Sequence, residues 1–442
     1  MDFSQSMWNT QFMTEANLRA NQAQSTPNRG RPPLGAAYWR LWTSAGLSDL
    51  ADGVVKVALP LVAIGFTRSP ALIAGLGFAF TLPWLLFALP AGMFADRLDR
   101  RRAMLGANCV RAALLLVLVT FVAAGGRSIA ALYVAAFCVG TAETLYDTSA
   151  QSIIPQIVPR DQLSRANARL YGAQLTANQF IGPPAAGLLV AAGTVAAFAT
   201  PVGLWVVALG ALLLVRGSFR VPRERNASMR AEILEGLRFV WQNKVLRTFA
   251  VMVGVFNFAT NGVFAVFVLY AVGHASAMGL TKPAYGLLLT TIPIGSVLGS
   301  LIAEQVERRL GKARTIAVSF LAGALLAGIP ALTASPYVIG IAFFLGGIGI
   351  VISNVVMVSL RQRMTPDRML GRVNSCYRLV AWGTMPLGTA VAGLLGELIG
   401  LRAMFAVMGV VALTTLTGLL VAGDTAIDAA MDAAIGTAES VI

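Results

Sequence analysis

The sequence contains few charged residues and few of the side chains that bind metals or form disulfides. Only 12% of its 442 residues are charged, and there are one histidine, His274, and three cysteines, Cys109, Cys138 and Cys376. The cysteines form no CxxC pair, so we interpret them as packing residues and expect no metal or other cofactor. There is no GxxxxGK[ST] loop, so ATP is not expected to supply energy. No nucleophile–base pair suggests an enzyme.

Apolar residues instead dominate the sequence. They make up 57% of the chain, the mean hydropathy is +0.72, and several runs exceed the ~20 residues that cross a bilayer as a helix. We therefore predict an all-α polytopic membrane protein. The apolar runs indicate twelve transmembrane helices: 38–66, 71–95, 103–125, 128–152, 168–192, 196–216, 246–272, 283–304, 314–333, 336–359, 372–397 and 402–422.

The distribution of basic residues predicts the orientation. The net charge is +14, which could suggest nucleic acid, but the basic residues lie in short links between apolar runs. With both termini inside, 27 of the 34 lysines and arginines fall in cytoplasmic segments and four in external loops. This bias is typical of a plasma (bacterial inner) membrane protein with both termini in the cytoplasm and no nucleic-acid partner.

The two halves of the chain repeat. Ala95-Asp96-x-x-Asp99-Arg100-Arg101 returns as Ala303-Glu304-x-x-Glu307-Arg308-Arg309, and three other segments recur at offsets of 206 to 209 residues. Two pseudo-symmetric six-helix bundles are therefore predicted, with a transport pathway at their interface.

These features predict five regions along the chain. Residues 1–37 are a disordered cytoplasmic arm, 38–216 and 246–422 are the two bundles, 217–245 is a cytoplasmic link, and 423–442 is a cytoplasmic tail. Apolar residues at helical spacing in 229–241 predict an amphipathic helix on the membrane surface. That helix is either a simple linker or an effector-binding site.

Ionisable residues within the predicted spans are candidates for function, because a charge in hydrocarbon must be paired or hydrated. The first half carries Asp49, Asp52 and Lys56 in the first span, Arg111 in the third, and Glu143 and Asp147 in the fourth. Asp49, Arg111 and Glu143 are expected at similar depths, about 12–17 Å from the cytoplasmic helix ends.

Two interpretations of this cluster stay open. In one, Asp52–Lys56 and Arg111–Glu143 are structural ion pairs. In the other, at least one carboxylate binds and releases a proton as the cavity opens alternately, with Asp52 the first candidate and Glu143 the second.

The segment Gly92-Met93-Phe94-Ala95-Asp96-Arg97-Leu98-Asp99-Arg100-Arg101 resembles the signature loop of the major facilitator superfamily. Gly92 would let spans 2 and 11 approach. The resemblance implies that Asp96 faces the start of span 11, and that Arg100 or Arg101 pairs with an acid near the inner end of span 4, where Asp147 fits. This loop, with Arg97, is either a cytoplasmic gate or a plain basic anchor.

Further motifs narrow the resemblance. Gly182-Pro183-Pro184-Ala185-Ala186-Gly187 in span 5 is similar to the motif of proton-antiporting exporters, although packing alone could explain it. With 154–159, 235–238 and 365–373, it resembles the branch that contains the enterobactin exporter and macrolide efflux pumps. The arginine that this family often places in span 4 is missing, and whether Arg111 substitutes for it stays open.

The function expected from these features is proton-coupled export of a small organic molecule, a siderophore or drug-like compound, by a monomer. Spans 1, 4, 7 and 10 are expected to line the cavity. Polar cavity contacts are expected from Asp52, Glu143, Asn257, Asn261 and Arg378, and apolar contacts from Phe256, Phe264 and Phe267. One alternative is transport of a lysophospholipid or another amphiphile. An alternative of another class is a membrane sensor or scaffold that transports nothing.

Overall fold

In the computed structural model the chain folds into long helices, and the structure describes residues 34–97, 99–217, 219, 229–366 and 369–439. The helices of the first half are α1 (Ala36–Ala63), α2 (Pro70–Arg97), α3 (Arg100–Ala123), α4 (Ile129–Ile157), α5 (Leu163–Leu175), α6 (Gly182–Ala192) and α7 (Thr194–Leu213). Those that follow are α8 (Met229–Gln242), α9 (Lys244–Ala271), α10 (Lys282–Leu289), α11 (Thr291–Leu310), α12 (Lys312–Leu332), α13 (Pro336–Met364), α14 (Leu370–Ile399), α15 (Leu401–Thr414) and α16 (Asp424–Glu439).

The predicted all-α polytopic architecture is confirmed. Among the described residues, ten helices are long and apolar enough to cross a membrane, with α10 and α11 forming one of them. Two expected spans are not among the ten. The first is α1, which carries Arg40, Asp49, Asp52 and Lys56, and the second is the interrupted pair α5 and α6. The count of twelve therefore stays a prediction.

The interruption between α5 and α6 has a local cause. Thr176–Ile181 form a π-helical segment, and Pro183 and Pro184 follow, neither of which can donate a backbone hydrogen bond. The break lies against α1, where the backbones nearly touch. A Cβ atom added to Gly182 would lie 2.8 Å from the Cα of Gly53. Glycine at both positions permits this approach.

The same helix pairings recur in the two halves. In the first half α2 packs on α4, α3 on α7 and α1 on α6, and in the second half α11 packs on α13, α12 on α15 and α9 on α14. These pairs join corresponding spans of the repeat. The boundaries of the two bundles stay a prediction, but helices that the sequence repeat relates to each other make the same contacts in both halves.

One end of the molecule, where α2 ends and α3 begins, carries Arg100–Arg102, and we call it the basic face. At the opposite face the two halves are in direct contact. The Ser69 hydroxyl donates to the Glu397 carboxylate over 2.6 Å. A Cβ atom on Gly187 would collide with the carbonyl oxygen of Lys282, and one on Gly286 with that of Pro183. The halves therefore seal the opposite face.

The final helix, α16, docks on the turn between α11 and α12. A carboxylate oxygen of Asp424 accepts the backbone N–H of Ala313 over 2.8 Å, and Asp428 pairs with Lys312 over 2.7 Å. Ile427 is fully buried beside them. Asp424 thus caps the first turn of α12 from outside that helix, a role that the composition of the tail did not indicate.

The amphipathic segment of the link forms α8, as predicted. Described side chains of this helix pack against α14, with Gly236 close to the carbonyl oxygen of Arg372 and to the sulfur of Cys376. Glu235 pairs with Arg372 over 2.6 Å. The helix is therefore fixed to the second half by both packing and charge.

Candidate functional site

A cavity of about 1010 Å³ lies between the two halves. Its wall includes Leu59 and Ile73 near the sealed face, and it continues to Gln151 and Arg361 in the last turns of α4 and α13. Because the halves meet at the opposite face and the wall reaches the last turns at the other end, the cavity extends toward the basic face.

More helices line the cavity than spans 1, 4, 7 and 10, which the sequence suggested. The second and eleventh spans contribute Trp84 and Trp382, whose rings meet edge to face with centroids 5.5 Å apart. The interrupted fifth span contributes Gln174 and Asn178. Sequence reasoning missed these residues. The polar side chains in an otherwise apolar fifth span were the available signal for Gln174 and Asn178.

Lys56 and Glu143 form an ion pair on the cavity wall. The Lys56 ammonium lies 2.9 Å from one carboxylate oxygen of Glu143, and the lysine side chain is 37% exposed. The other carboxylate oxygen, Oε2, is buried without a hydrogen-bond partner in the described structure. The cavity therefore exposes the ammonium of Lys56, whereas the carboxylate of Glu143 is largely buried and keeps one oxygen without a hydrogen-bond partner in the described structure.

Behind this wall lies a second ion pair that has no contact with solvent. The guanidinium of Arg111 donates to both carboxylate oxygens of Asp52 over 2.7 Å, and the Arg111 side chain is fully buried. It also donates to Ser48 over 2.9 Å and stacks on the ring of Trp205 at 5.2 Å. The ring of Tyr146 in α4 lies 4.7 Å from the same guanidinium, so four helices, α1, α3, α4 and α7, meet at this arginine.

The observed pairs correct the predicted ones. The expected structural pairs were Asp52–Lys56 and Arg111–Glu143, whereas the structure pairs Arg111 with Asp52 and Lys56 with Glu143. Spacing of four residues places Asp52 and Lys56 on one side of α1, but α3 packs next to Asp52 and α4 next to Lys56. Asp49 is buried one turn before Asp52.

The positions proposed for Asp52 and Phe267 as cavity contacts are also corrected. Neither lies on the described wall. Asp52 is enclosed with Arg111, and Phe267 is fully buried among aromatic rings, with its centroid 5.1 Å from that of Phe343 and 6.3 Å from that of Phe405. Periodicity identified the correct helix for each residue, but the neighbouring helices decide which residues reach the cavity.

The second half contributes polar and aromatic groups to the same cavity. Asn257 donates to the carbonyl oxygen of Ala381 over 2.8 Å, and Asn261 donates to that of Asn257 over 3.0 Å. Phe256 packs edge to face on Phe320, with centroids 5.3 Å apart. Phe256, Asn257, Asn261, Phe264 and Arg378, all expected from the sequence, lie on the wall.

Two arginines of the signature loop donate hydrogen bonds to backbone carbonyl groups of neighbouring helices. Arg100 donates to the carbonyl oxygen of Ser152 in α4, and Arg101 donates to the carbonyl oxygens of Leu212 and Leu213 at the end of α7. The expected partner, Asp147, lies instead on the cavity wall. The side chains of Gly92, Asp96 and Arg97 lie outside the described residues.

Within the fifth-span motif, glycines and a proline lie at two different contacts. Gly182 contacts α1 within the first half, whereas Gly187 contacts Lys282 of the second half at the sealed face. Pro183 follows the π-helical segment, and its carbonyl oxygen lies against Gly286. The motif therefore joins the break in the helix to the contact between the halves.

Comparisons with known proteins agree with this architecture. A family model described as transmembrane secretion effector matches residues 32–434. The multidrug efflux pump Tap of Mycobacterium bovis (strain BCG / Pasteur 1173P2) is 28% identical over 396 residues, which are 86% of this chain and 90% of that protein. The enterobactin exporter EntS of Salmonella choleraesuis (strain SC-B67) is 27% identical over 369 residues, which are 82% and 86% of the two chains.

Solved structures share the fold. A bacterial homologue of the iron transporter ferroportin in an inward-facing state superimposes with a TM-score of 0.69 at 17% identity, covering 88% of this chain and 99% of that one. The nucleoside transporter NupG superimposes with a TM-score of 0.68 at 12% identity, over 87% and 98% of the two chains.

Proposed function

Because the chain belongs to the transmembrane secretion effector family of the major facilitator superfamily, we propose that it exports a small organic molecule in exchange for protons. Family membership confirms the resemblance drawn from the signature loop, and it confirms that the protein is a transporter and not an enzyme. The similarity to a multidrug efflux pump and to an enterobactin exporter supports a drug-like or siderophore-like substrate.

The observation that carries the proposal is the ion pair on the cavity wall, in which the side chain of Lys56 is exposed and that of Glu143 is largely buried. The cavity beside this pair extends toward the basic face, and Glu143 retains one carboxylate oxygen without a partner in the described structure. A proton bound at Glu143 would weaken its attraction to Lys56. Protonation would thereby change the charge on the cavity wall and couple proton binding to the release or uptake of substrate.

The geometry favours Glu143 over Asp52 as the proton carrier. Asp52 is 1% exposed and already accepts two hydrogen bonds from Arg111, so its protonation would leave a buried guanidinium without its counter-charge. Glu143, in contrast, lies on the cavity wall. We propose Glu143 as the coupling carboxylate, and Asp52 with Arg111 as the pair that holds α1 and α3 together.

We further propose that the basic face is cytoplasmic in the plasma membrane of a bacterium and that the protein acts as a monomer. The positive-inside bias supports the orientation, and the cavity is lined by one chain. In this orientation the structure is open to the cytoplasm and sealed outside. Alternating access would require the contacts at Ser69, Gly187 and Gly286 to separate while the basic face closes.

Proton flux in liposomes tests the proposal. Purified protein is reconstituted with a pH-sensitive dye inside, and cationic and zwitterionic dyes of drug size are added. Wild type should show substrate-dependent proton movement. Glu143→Gln should lose gradient-driven transport at least tenfold but retain exchange of substrate for substrate, because exchange needs no net proton transfer.

The matched control is Glu304→Gln, which neutralises a carboxylate that is 79% exposed on the surface. It should behave as wild type. Transport of the dyes without proton movement in wild type would contradict the proton coupling, and absence of both transport and proton movement would contradict the proposed export. Full gradient-driven transport in Glu143→Gln would remove Glu143 from the coupling role.

A further inference from the structure

Three charged side chains on the cavity wall, Asp147 on α4, Arg361 on α13 and Arg378 on α14, have no ion-pair partner among the described residues. Asp147 and Arg378, which carry opposite charges, form no side-chain hydrogen bond there either. The guanidinium of Arg378 stacks on the ring of Trp382 at 4.3 Å. Because one residue comes from each half, the cavity has an acidic side and a basic side.

The neighbouring charges on the wall already have partners. Glu143 pairs with Lys56, and Arg361 donates to the side-chain oxygen of Asn374 over 2.7 Å while stacking on Tyr377 at 4.1 Å. Asp147 and Arg378 lie on the same cavity wall but do not form a salt bridge with each other. The charged groups on the described wall that have neither an ion pair nor a hydrogen bond are therefore one carboxylate, Asp147, and one guanidinium, Arg378.

The cavity that contains these two charges also has aromatic side chains on its wall. Trp84 and Trp382 meet edge to face between the halves, and Phe256 and Phe264 line the same cavity. Flat aromatic walls favour a flat aromatic ligand, through stacking and through removal of apolar surface from water. The volume of about 1010 Å³ accommodates a drug-sized molecule.

We propose that the transported molecule is an amphoteric aromatic compound, with an anionic group bound by Arg378 and a cationic group bound by Asp147. This inference rests on the proposed export function and specifies its substrate class. A ligand that carries only a cation would leave the guanidinium of Arg378 without a counter-charge in the closed cavity. A purely anionic ligand would leave the carboxylate of Asp147 without a counter-charge. Both mismatches lower affinity and so provide specificity.

Matched dyes test the role of Arg378. Rhodamine B carries a carboxylate and a cationic ring system, and its ethyl ester has nearly the same shape but no carboxylate. Binding to purified wild type is measured by fluorescence polarisation without any proton gradient. Rhodamine B should bind at least tenfold more tightly than its ester, although the ester is the more apolar molecule. Arg378→Gln should reduce this preference to less than threefold.

The matched control for Arg378 is Arg308→Gln, because Arg308 is 67% exposed on the surface. This variant should keep the preference of wild type. Equal affinities of wild type for the two dyes would overturn the proposal. An equal loss of affinity for both dyes in Arg378→Gln would also overturn it, because it would assign the arginine a purely structural role.

An anionic dye tests the role of Asp147. Fluorescein lacks the cationic group, so wild type should bind it at least tenfold less tightly than rhodamine B. Asp147→Asn should narrow this difference to less than threefold, whereas Glu304→Gln should leave it unchanged. A difference that persists in Asp147→Asn would contradict the assignment. Because the assay measures binding without flux, its result is distinct from failure of the export function.

Discussion

Asp52→Asn should destabilise the protein far more than Glu143→Gln, although both substitutions remove one carboxylate from the same charged cluster. Asp52 is the counter-charge of Arg111, whose side chain is fully buried and receives no help from solvent. Glu143 is the counter-charge of Lys56, whose side chain is 37% exposed in the cavity. Water can hydrate the ammonium of Lys56 after Glu143→Gln, whereas water cannot reach the guanidinium of Arg111 after Asp52→Asn.

The expected magnitudes follow from this difference. Removing one partner of a buried ion pair costs about 3–5 kcal/mol, because an uncompensated charge stays behind. The cost is smaller where the charge left behind can be hydrated, and pairs with both members exposed contribute only about 0–1 kcal/mol. The free energy of unfolding should therefore fall by about 3–5 kcal/mol in Asp52→Asn and by less than half of that in Glu143→Gln, which leaves the partly exposed ammonium of Lys56.

Equilibrium unfolding in mixed detergent micelles measures both values. Tryptophan fluorescence is a suitable signal, because Trp205 packs on Arg111. The control is the double variant Asp52→Leu with Arg111→Met, which replaces the pair by apolar side chains. It should be more stable than Asp52→Asn, because no buried charge remains.

Two results would refute this reasoning. One is an equal loss of stability in Asp52→Asn and Glu143→Gln, which would mean that exposure does not separate the two pairs. The other is a double variant as unstable as Asp52→Asn, which would show that the cost comes from packing and not from an unpaired charge.

Two further substitutions test the contact between the halves and the docked tail. Gly187→Leu should open the seal, because its side chain would collide with the carbonyl group of Lys282. Peptides covering 183–192 should then exchange their amide hydrogens faster. The control Gly203→Leu has open space around the added Cβ atom and should leave this exchange rate unchanged. Asp424→Ala should lower the free energy of unfolding by about 1 kcal/mol, the usual value of a helix cap. The control Asp432→Ala, at an exposed position, should leave the free energy of unfolding unchanged. Equal values in the two variants would contradict the capping role.

The sequence predicted the helices well because apolar runs and basic links report directly on the bilayer. The ends of the helices are less accurate. The fourth predicted span stops at residue 152 and the tenth at 359, whereas α4 continues to Ile157 and α13 to Met364. Hydropathy detects where the hydrocarbon ends, but helical hydrogen bonding continues into the polar zone beyond it.

The sequence also indicated which charges share the interior but not which of them form pairs. Spacing along one helix relates Asp52 to Lys56, whereas the partner of each is decided by the helix packed beside it. Asp424 shows the same limit, because its capping of α12 joins positions that are far apart in the chain. Such contacts depend on tertiary packing, which neither periodicity nor a local motif encodes.

The separation of the two ion pairs suits an exporter driven by protons. A coupling carboxylate must be reached from each side in turn, so it must lie on the cavity wall, as Glu143 does. A group that holds helices together must keep its charge in both states, so it should be shielded, as Asp52 is beside Arg111. If one carboxylate had both roles, each protonation would remove the counter-charge of Arg111 and so lower the stability of the first half. Two carboxylates on adjacent helices allow the cavity charge to change while the ion pair that links α1 to α3 is preserved.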